Sequence, residues 1–157
     1  MTLTQRSELI WSTKRFHELS TTELYDVLKI RVDIFVVEQE CAYPEIDGKD
    51  PDCLHAIGKT TSGEIVASAR IAPAGVIYDE WSIGRVVVKK SHRGRKLGND
   101  LMQHSINYLK NNTTASTIKI AAQLYLERFY SELGFEKISG IYPWDGIDHI
   151  DMRLKLR

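Results

Sequence analysis

The residues best placed to do chemistry lie together between Val86 and Met102. A β-branched run, Val86-Val87-Val88, meets the basic stretch Lys89-Lys90-Ser91-His92-Arg93-Gly94-Arg95-Lys96. Leu97-Gly98-Asn99 then opens an expected helix that carries Leu101, Met102, Tyr108 and Leu109 on its apolar face. A helix N-terminus presents unpaired N–H groups and a partial positive charge, and both favour a phosphate. Gly94 and Gly98 remove the Cβ atoms that would hold an anion off the backbone. Arg93, Arg95 and Lys96 add charge where such an anion would sit. The pattern predicts a phosphate-binding loop, with a plain basic turn before an ordinary helix as the alternative. A Walker-type nucleotide loop is unlike it, because that motif needs Gly-Lys followed by Ser or Thr, and this chain reads Arg95-Lys96-Leu97.

Elements on either side must position this loop. Trp81–Val88 reads as a central strand buried on both faces. Before it, Leu54–Lys59 and Glu64–Ile71 flank Thr60-Thr61-Ser62-Gly63 as a β-hairpin ended by Pro73–Gly75. After it, Asn111 and Asn112 stop the helix, Ile118–Ala122 is a buried strand, and Leu124–Leu133 is a helix closed by Gly134. Phe135–Ile141 and Ile147–Leu156 are expected as two strands around Pro143-Trp144-Asp145-Gly146. Near the start, Leu9–Thr13 opens the sheet. Ser20 and Glu23 have capping-box spacing, and Leu24, Val27, Leu28 and Ile34 follow at helical spacing. Glu38–Asp52 is an acidic, irregular loop in which Asp47 and Asp50 are read as turn formers. Antiparallel strands followed by strand–helix–strand–helix give a mixed α+β fold, a mostly antiparallel twisted sheet flanked by helices.

With 157 residues, one domain over residues 1–157 is expected. Lys plus Arg equals Asp plus Glu at 21 each, which argues against a general nucleic-acid binder or a membrane-surface protein. Met1–Trp11 lacks the apolar run of a signal peptide, and no stretch approaches the ~18 apolar residues of a membrane span. Cys41 and Cys53 are too far apart for a Cys-x-x-Cys redox or zinc motif, and no metal is expected. They read as two buried thiols in a soluble cytoplasmic protein. Composition leaves the oligomeric state open, a homodimer included.

Val88 followed by Arg93-Gly94-x-x-x-Gly98 and an amphipathic helix resembles motif A of the GNAT acetyltransferases, whose loop binds the coenzyme A pyrophosphate. Phe129-Tyr130-Ser131-Glu132-Leu133-Gly134-Phe135 resembles their motif B. Further stretches are similar to the ElaA-like branch: Phe35–Glu45 with Asp47, Asp50 and His55, then Ile83-Gly84-Arg85-Val86, Ala122-Gln123 and Asp145–His149. The likeness spans Leu9 to Leu154. One departure stands out, in that Lys96 occupies the usual place of the middle glycine. A right-handed turn is expected there, since a positive φ would strain a lysine by about 1 kcal/mol.

The resemblance implies a GNAT-like acyl-CoA N-acyltransferase fold and acetyl-CoA as cosubstrate. Its site would use Val86, Val87, Val88, Arg93, Gly94, Arg95, Lys96, Leu97, Gly98, Asn99, Gln123, Phe129 and Tyr130. The pantetheine arm would lie where Val86–Val88 and Ile118–Ala122 splay apart. A small-molecule or peptidyl amine would be the acceptor, with the Val88 N–H facing the developing oxyanion and Tyr130 as general acid. Tyr130 could instead only pack with Phe129 and Phe135. The base is open among Glu38, Glu80, His55 and His149. An acidic rim at Glu38 and Glu40 would favour a cationic amine, and Arg70 and Arg85 need buried carboxylates or an acceptor contact. Trp81 and Trp144 read as core or pocket wall. A non-catalytic acyl-CoA-binding module is the alternative function.

Overall fold

The computed structural model describes residues 9–157. The reading of Met1–Trp11 lies almost wholly outside them. One mixed sheet runs in the order β1-β2-β3-β4-β5-β8-β6, with β7 also on β8. Its strands are β1 (Ile10–Arg15), β2 (Leu54–Lys59), β3 (Ile65–Ala72), β4 (Trp81–Val88), β5 (Thr117–Gln123), β6 (Glu136–Lys137), β7 (Tyr142–Trp144) and β8 (Ile147–Lys155). Helix α1 spans Thr21–Arg31, α2 Leu97–Asn112 and α3 Glu127–Glu132, the last after a tight turn at Leu124–Leu126.

The capping box at the start of α1 forms as its spacing predicts. Ser20 Oγ accepts from the Glu23 N–H at 3.0 Å, and the Ser20 N–H donates to Glu23 Oε1 at 2.9 Å. The helix continues beyond Arg31 as a π-helical segment, Val32–Glu38, with Gln39 N–H reaching back to Ile34 O at 3.0 Å. Such segments are uncommon and often sit at functional sites. Helix α2 places Leu101, Met102 and Leu109 in the main core with Ile71, Ile118, Ile150 and Met152. Val27, Ile30 and Ile34 cover the other face, against Ile57, Ile65 and Val87.

Two expectations about strands need correction. Phe135–Ile141 is not one continuous strand: only Glu136–Lys137 and Tyr142–Trp144 pair with β8. Between them the Ser139 hydroxyl takes over part of the ladder, accepting the Asp151 N–H at 2.9 Å. The fully buried strand is β3, whereas Gly84, Arg85 and Val86 of β4 are only half-buried. A bulge and a splay explain this exposure. Register passes from Arg70↔Gly84 to Ser68↔Val87, so Arg85 and Val86 together face Ala69. A bulge bends its strand, and β4 pairs with β5 only at Trp81↔Ile118 and Ser82↔Lys119. Beyond Ser82 the two strands diverge. The candidate site lies in that gap.

Candidate active site

Two cavities meet at the end of β4. The larger, about 800 Å³, lies in the gap between β4 and β5 and under the Glu38–Lys49 segment. The smaller, about 460 Å³, lies over the N-terminus of α2. Val88 and Arg93 line both.

Gly94, Lys96, Leu97, Gly98, Asn99 and Phe129 line the smaller cavity, while Arg95 lines neither. Gly94 has φ +82°, the left-handed region that suits glycine. Lys96 is left-handed too, with φ 60° and ψ 23°, which overturns the expected right-handed turn. It is the N-cap residue, where the chain must swing from the loop into α2, and no glycine stands there to take the turn. The first helical bond runs from Asp100 N–H to Lys96 O at 3.1 Å. The Lys96 side chain makes no capping hydrogen bond, and the N–H groups of Leu97, Gly98 and Asn99 in the first turn have no intrahelical partner. Gly98 is helical, and a Cβ there would sit 3.7 Å from the Phe129 ring, an ordinary contact. Its bareness widens the cavity rather than relieving strain.

Val86, Val87 and Val88 line the larger cavity. Lys89 N–H donates to Val66 O at 2.7 Å, so the pair Ala67↔Val88 is of the non-hydrogen-bonded kind. The Val88 N–H therefore points away from β3, into the gap towards β5. Tyr130 reaches the same cavity from α3, with Phe129 and Phe135 edge-on at 5.0 and 5.8 Å. Its hydroxyl has no hydrogen-bond partner among the described residues, and burial pushes its pKa up. His149 lines the cavity as well. Its Nδ1 lies 2.7 Å from the Ile147 carbonyl, which only accepts, so Nδ1 carries a proton and Nε2 is the nitrogen left to take one up or release one. Gln123 forms a paired amide contact with Gln39 across the cavity, at 3.2 and 3.4 Å.

The other base candidates sit differently. Glu38 lines the cavity but is gripped by Arg93, at 2.6 and 3.0 Å, and this pairing lowers its pKa. Glu80 and His55 line neither cavity. Arg153 and Thr117 hold Glu80, whose pKa falls to about 2 through the hydrogen bond from Arg153. His55 is buried, with Nε2 donating to Asp50 O at 3.1 Å, and burial lowers its pKa.

A family model of the acetyltransferase (GNAT) domain matches residues 35–156. The chain belongs to the GNAT family. It is 39% identical over 151 residues to a UPF0039 protein of Schizosaccharomyces pombe, covering 96% of this chain and 99% of that one. Protein ElaA of Escherichia coli is 37% identical over 144 residues, 90% of this chain and 94% of ElaA. The crystal structure of ElaA superposes with a TM-score of 0.85 at 35% identity, covering 94% and 99% of the two chains. An acyl-CoA N-acyltransferase from Pseudomonas aeruginosa matches at TM-score 0.85 and 33% identity, covering 93% and 99%. As a GNAT member the chain is an N-acetyltransferase working by acyl-CoA-dependent acetyl transfer.

Arg70 and Arg85 find the carboxylate partners expected of them in one wall of the larger cavity, where the parts played by Arg31, Glu45, Asp47 and Asp50 had not been read. Asp47 and Asp50 are not simple turn formers but belong to an ion network with Glu45, Arg31, Arg70 and Arg85. Arg31, 1% exposed, donates to Glu45 Oε2 and Asp50 Oδ1, both at 2.7 Å. Arg70 binds Asp47 and Asp50 at 2.9 and 3.3 Å, and Arg85 binds Glu45 at 2.8 Å. Burial alone would raise the Asp47 pKa, but hydrogen bonds from Arg70 outweigh it and bring it down to about 2. Of the two acids read as a rim, Glu38 is paired with Arg93, whereas Glu40 is exposed and has no ion pair among the described residues. One signal was available: Arg31 follows Val27 and precedes Ile34 on the buried stripe of the helix, where a charge requires partners. Cys41 departs from expectation too. It is half-buried and donates to Asp145 O at 3.2 Å, tying this wall to the β7–β8 turn. Trp144 is pocket wall and Trp81 packs on the core. Among the described residues no cluster could hold a metal, and no helix is long and apolar enough to cross a membrane.

Proposed function

We propose that this single domain transfers the acetyl group of acetyl-CoA directly to a primary amine, of a small molecule or a peptide, in the cytoplasm. The observation that carries this reading is the junction of the two cavities at Val88 and Arg93. A ligand anchored by phosphates at the uncapped start of α2 can run through the β4–β5 gap to Tyr130 and His149. Acetyl-CoA supplies an activated thioester and a thiol leaving group.

The chain's own residues supply the rest. Leu97, Gly98 and Asn99 direct backbone N–H groups at the diphosphate, with Arg93 and Lys96 beside them. The Val88 N–H meets the charge that develops on the thioester oxygen, already oriented by the strand and needing no reorganisation. Tyr130, kept protonated by burial, gives its proton to the departing sulfur. His149 takes the proton of the amine on Nε2, its ring fixed by the Ile147 carbonyl. Glu38 suits that task less, because a pKa held down by Arg93 moves in the wrong direction for a base.

Tyr130→Phe tests the reading. The ring remains to pack, so coenzyme A affinity should stay near wild type. Turnover of acetyl-CoA with an amine substrate should fall, general acids of this kind contributing about 10²–10⁴-fold. Turnover within about twofold of wild type, with chemistry rate-limiting, would return the acid role to water.

A further inference from the structure

Arg85 is the residue on β4 whose backbone and side chain are both out of the ordinary. Its φ is +51°, a conformation that a residue with a Cβ avoids. It occupies the bulge with Val86, three residues before the Val88 N–H. Its guanidinium reaches out of the sheet to the Glu40–Asp52 wall, where Nε donates to Glu45 Oε2 at 2.8 Å and Nη2 donates to Glu45 O at 3.0 Å. A weaker bond runs from Nη2 to Asp47 Oδ2 at 3.4 Å, and the Tyr43 ring lies 5.7 Å from the guanidinium carbon.

Glu45 is itself held in place. Its side chain is 2% exposed, Arg31 donates to the same Oε2 at 2.7 Å, and the Tyr43 hydroxyl donates to Oε1. An ion network this deep is costly to desolvate and rarely gains net stability over apolar packing. Its reach is nevertheless directed, because Arg31 and Arg70 pin the carboxylates and Glu45 passes that rigidity to Arg85. Strain kept at one backbone position, by partners that over-determine it, points to a role for that position.

We infer that Arg85 is a positioning residue that holds the β4 bulge, and through it the Val88 N–H, in the geometry acyl transfer requires. The inference rests on the acyl-transfer reading above. Without the anchor, the bulge can relax towards a regular strand, and relaxation turns the Val88 N–H out of the gap. Misplacement of such a group by about 1 Å can cost on the order of 10²-fold.

Arg85→Ala and Arg85→Gly together make the test. Both lose the same ion pairs, so any general loss of stability is shared between them. Alanine keeps the cost of a positive φ, whereas glycine removes it. Arg85→Ala should therefore lower kcat about tenfold or more while coenzyme A affinity, read by calorimetry, changes by less than about threefold. Arg85→Gly should recover part of that kcat. Glu45→Gln, which leaves Arg85 in place and weakens its anchor, should lower kcat in the same sense. Equal kcat in the alanine and glycine variants would overturn the inference. So would a raised KM for the amine at unchanged kcat, which would make Arg85 an acceptor-binding group. Wild-type protein that binds no coenzyme A would remove the acyl-transfer reading itself. A normal wild type with an undiminished Arg85→Ala variant would remove this inference alone.

Discussion

The basic loop Arg93–Asn99 and the wall Glu40–Asp52 both concentrate charge, and they treat it in opposite ways. The loop keeps its cations exposed, with Arg93 paired to Glu38 at the surface and Lys96 without an ion partner among the described residues. The wall buries its carboxylates against Arg31 and Arg70, whose side chains are 1% and 3% exposed. An exposed cation costs little to hold and is ready for an incoming anion. A buried pair answers only to its own partner, and in return it fixes geometry. Charge is thus kept available at the loop and committed to fixed partners in the wall.

The sharpest way to break this contrast is at Arg31. Its removal leaves Glu45 and Asp50 buried without their main counterion, and breaking such a pair costs about 3–5 kcal/mol. Arg31→Ala should lower the free energy of unfolding by that amount, measured by urea denaturation. A loss below about 1 kcal/mol would mean that the wall stands on packing alone.

The same contrast explains what could be read in advance. The loop leading into α2 was legible because its parts are contiguous: glycines, cations and a helix start fall within a few residues of Arg93. The capping box at Ser20 and the hairpin around Thr60–Gly63 were legible for the same reason. The wall joins residues far apart in the chain, 14 between Arg31 and Glu45 and 40 between Arg85 and Glu45, so the need of Arg70 and Arg85 for carboxylates could be read but not which carboxylates would meet it. Asp47 and Asp50 therefore read as turn formers. Lys96 misled for a different reason. Residue type argues against a positive φ, but the geometry of entry into α2 outweighed that preference. Phe135–Ile141 was read as one strand, but its ladder gives way at Ser139, whose hydroxyl accepts the Asp151 N–H.

At the loop, damage should fall on binding and spare the fold. Gly94→Val places a branched side chain at φ +82°, which forces the backbone to rearrange where the anion would approach. Coenzyme A affinity should drop at least about tenfold, or 1.4 kcal/mol. No heavy atom lies within 4 Å of a Cβ built at Gly94, so the unfolding transition should move far less than in Arg31→Ala. Equal affinity in a folded variant would take the diphosphate away from this loop.

Lys96→Gly is the smallest change, and it separates the two uses of charge within one residue. Its backbone is left-handed at φ 60°, a state that costs a residue with a Cβ about 1 kcal/mol. Glycine relieves that cost, and as N-cap it loses no side-chain bond, because lysine makes none there. Part of the gain is offset, since glycine gives up more freedom on folding. A net stabilisation of about 0.5 kcal/mol should remain, raising Tm by roughly 1–2 °C. The ammonium, however, is lost from the cavity over α2, which Lys96 lines. Coenzyme A affinity should therefore fall severalfold as stability rises, and the loss should shrink at high salt, where an exposed charge is screened. Opposite signs in the two measurements are the signature of a strained residue retained for its charge. If affinity holds or improves while Tm rises, the lysine only strains the loop. In that case Arg93 and the bare N–H groups of α2 carry the anion between them.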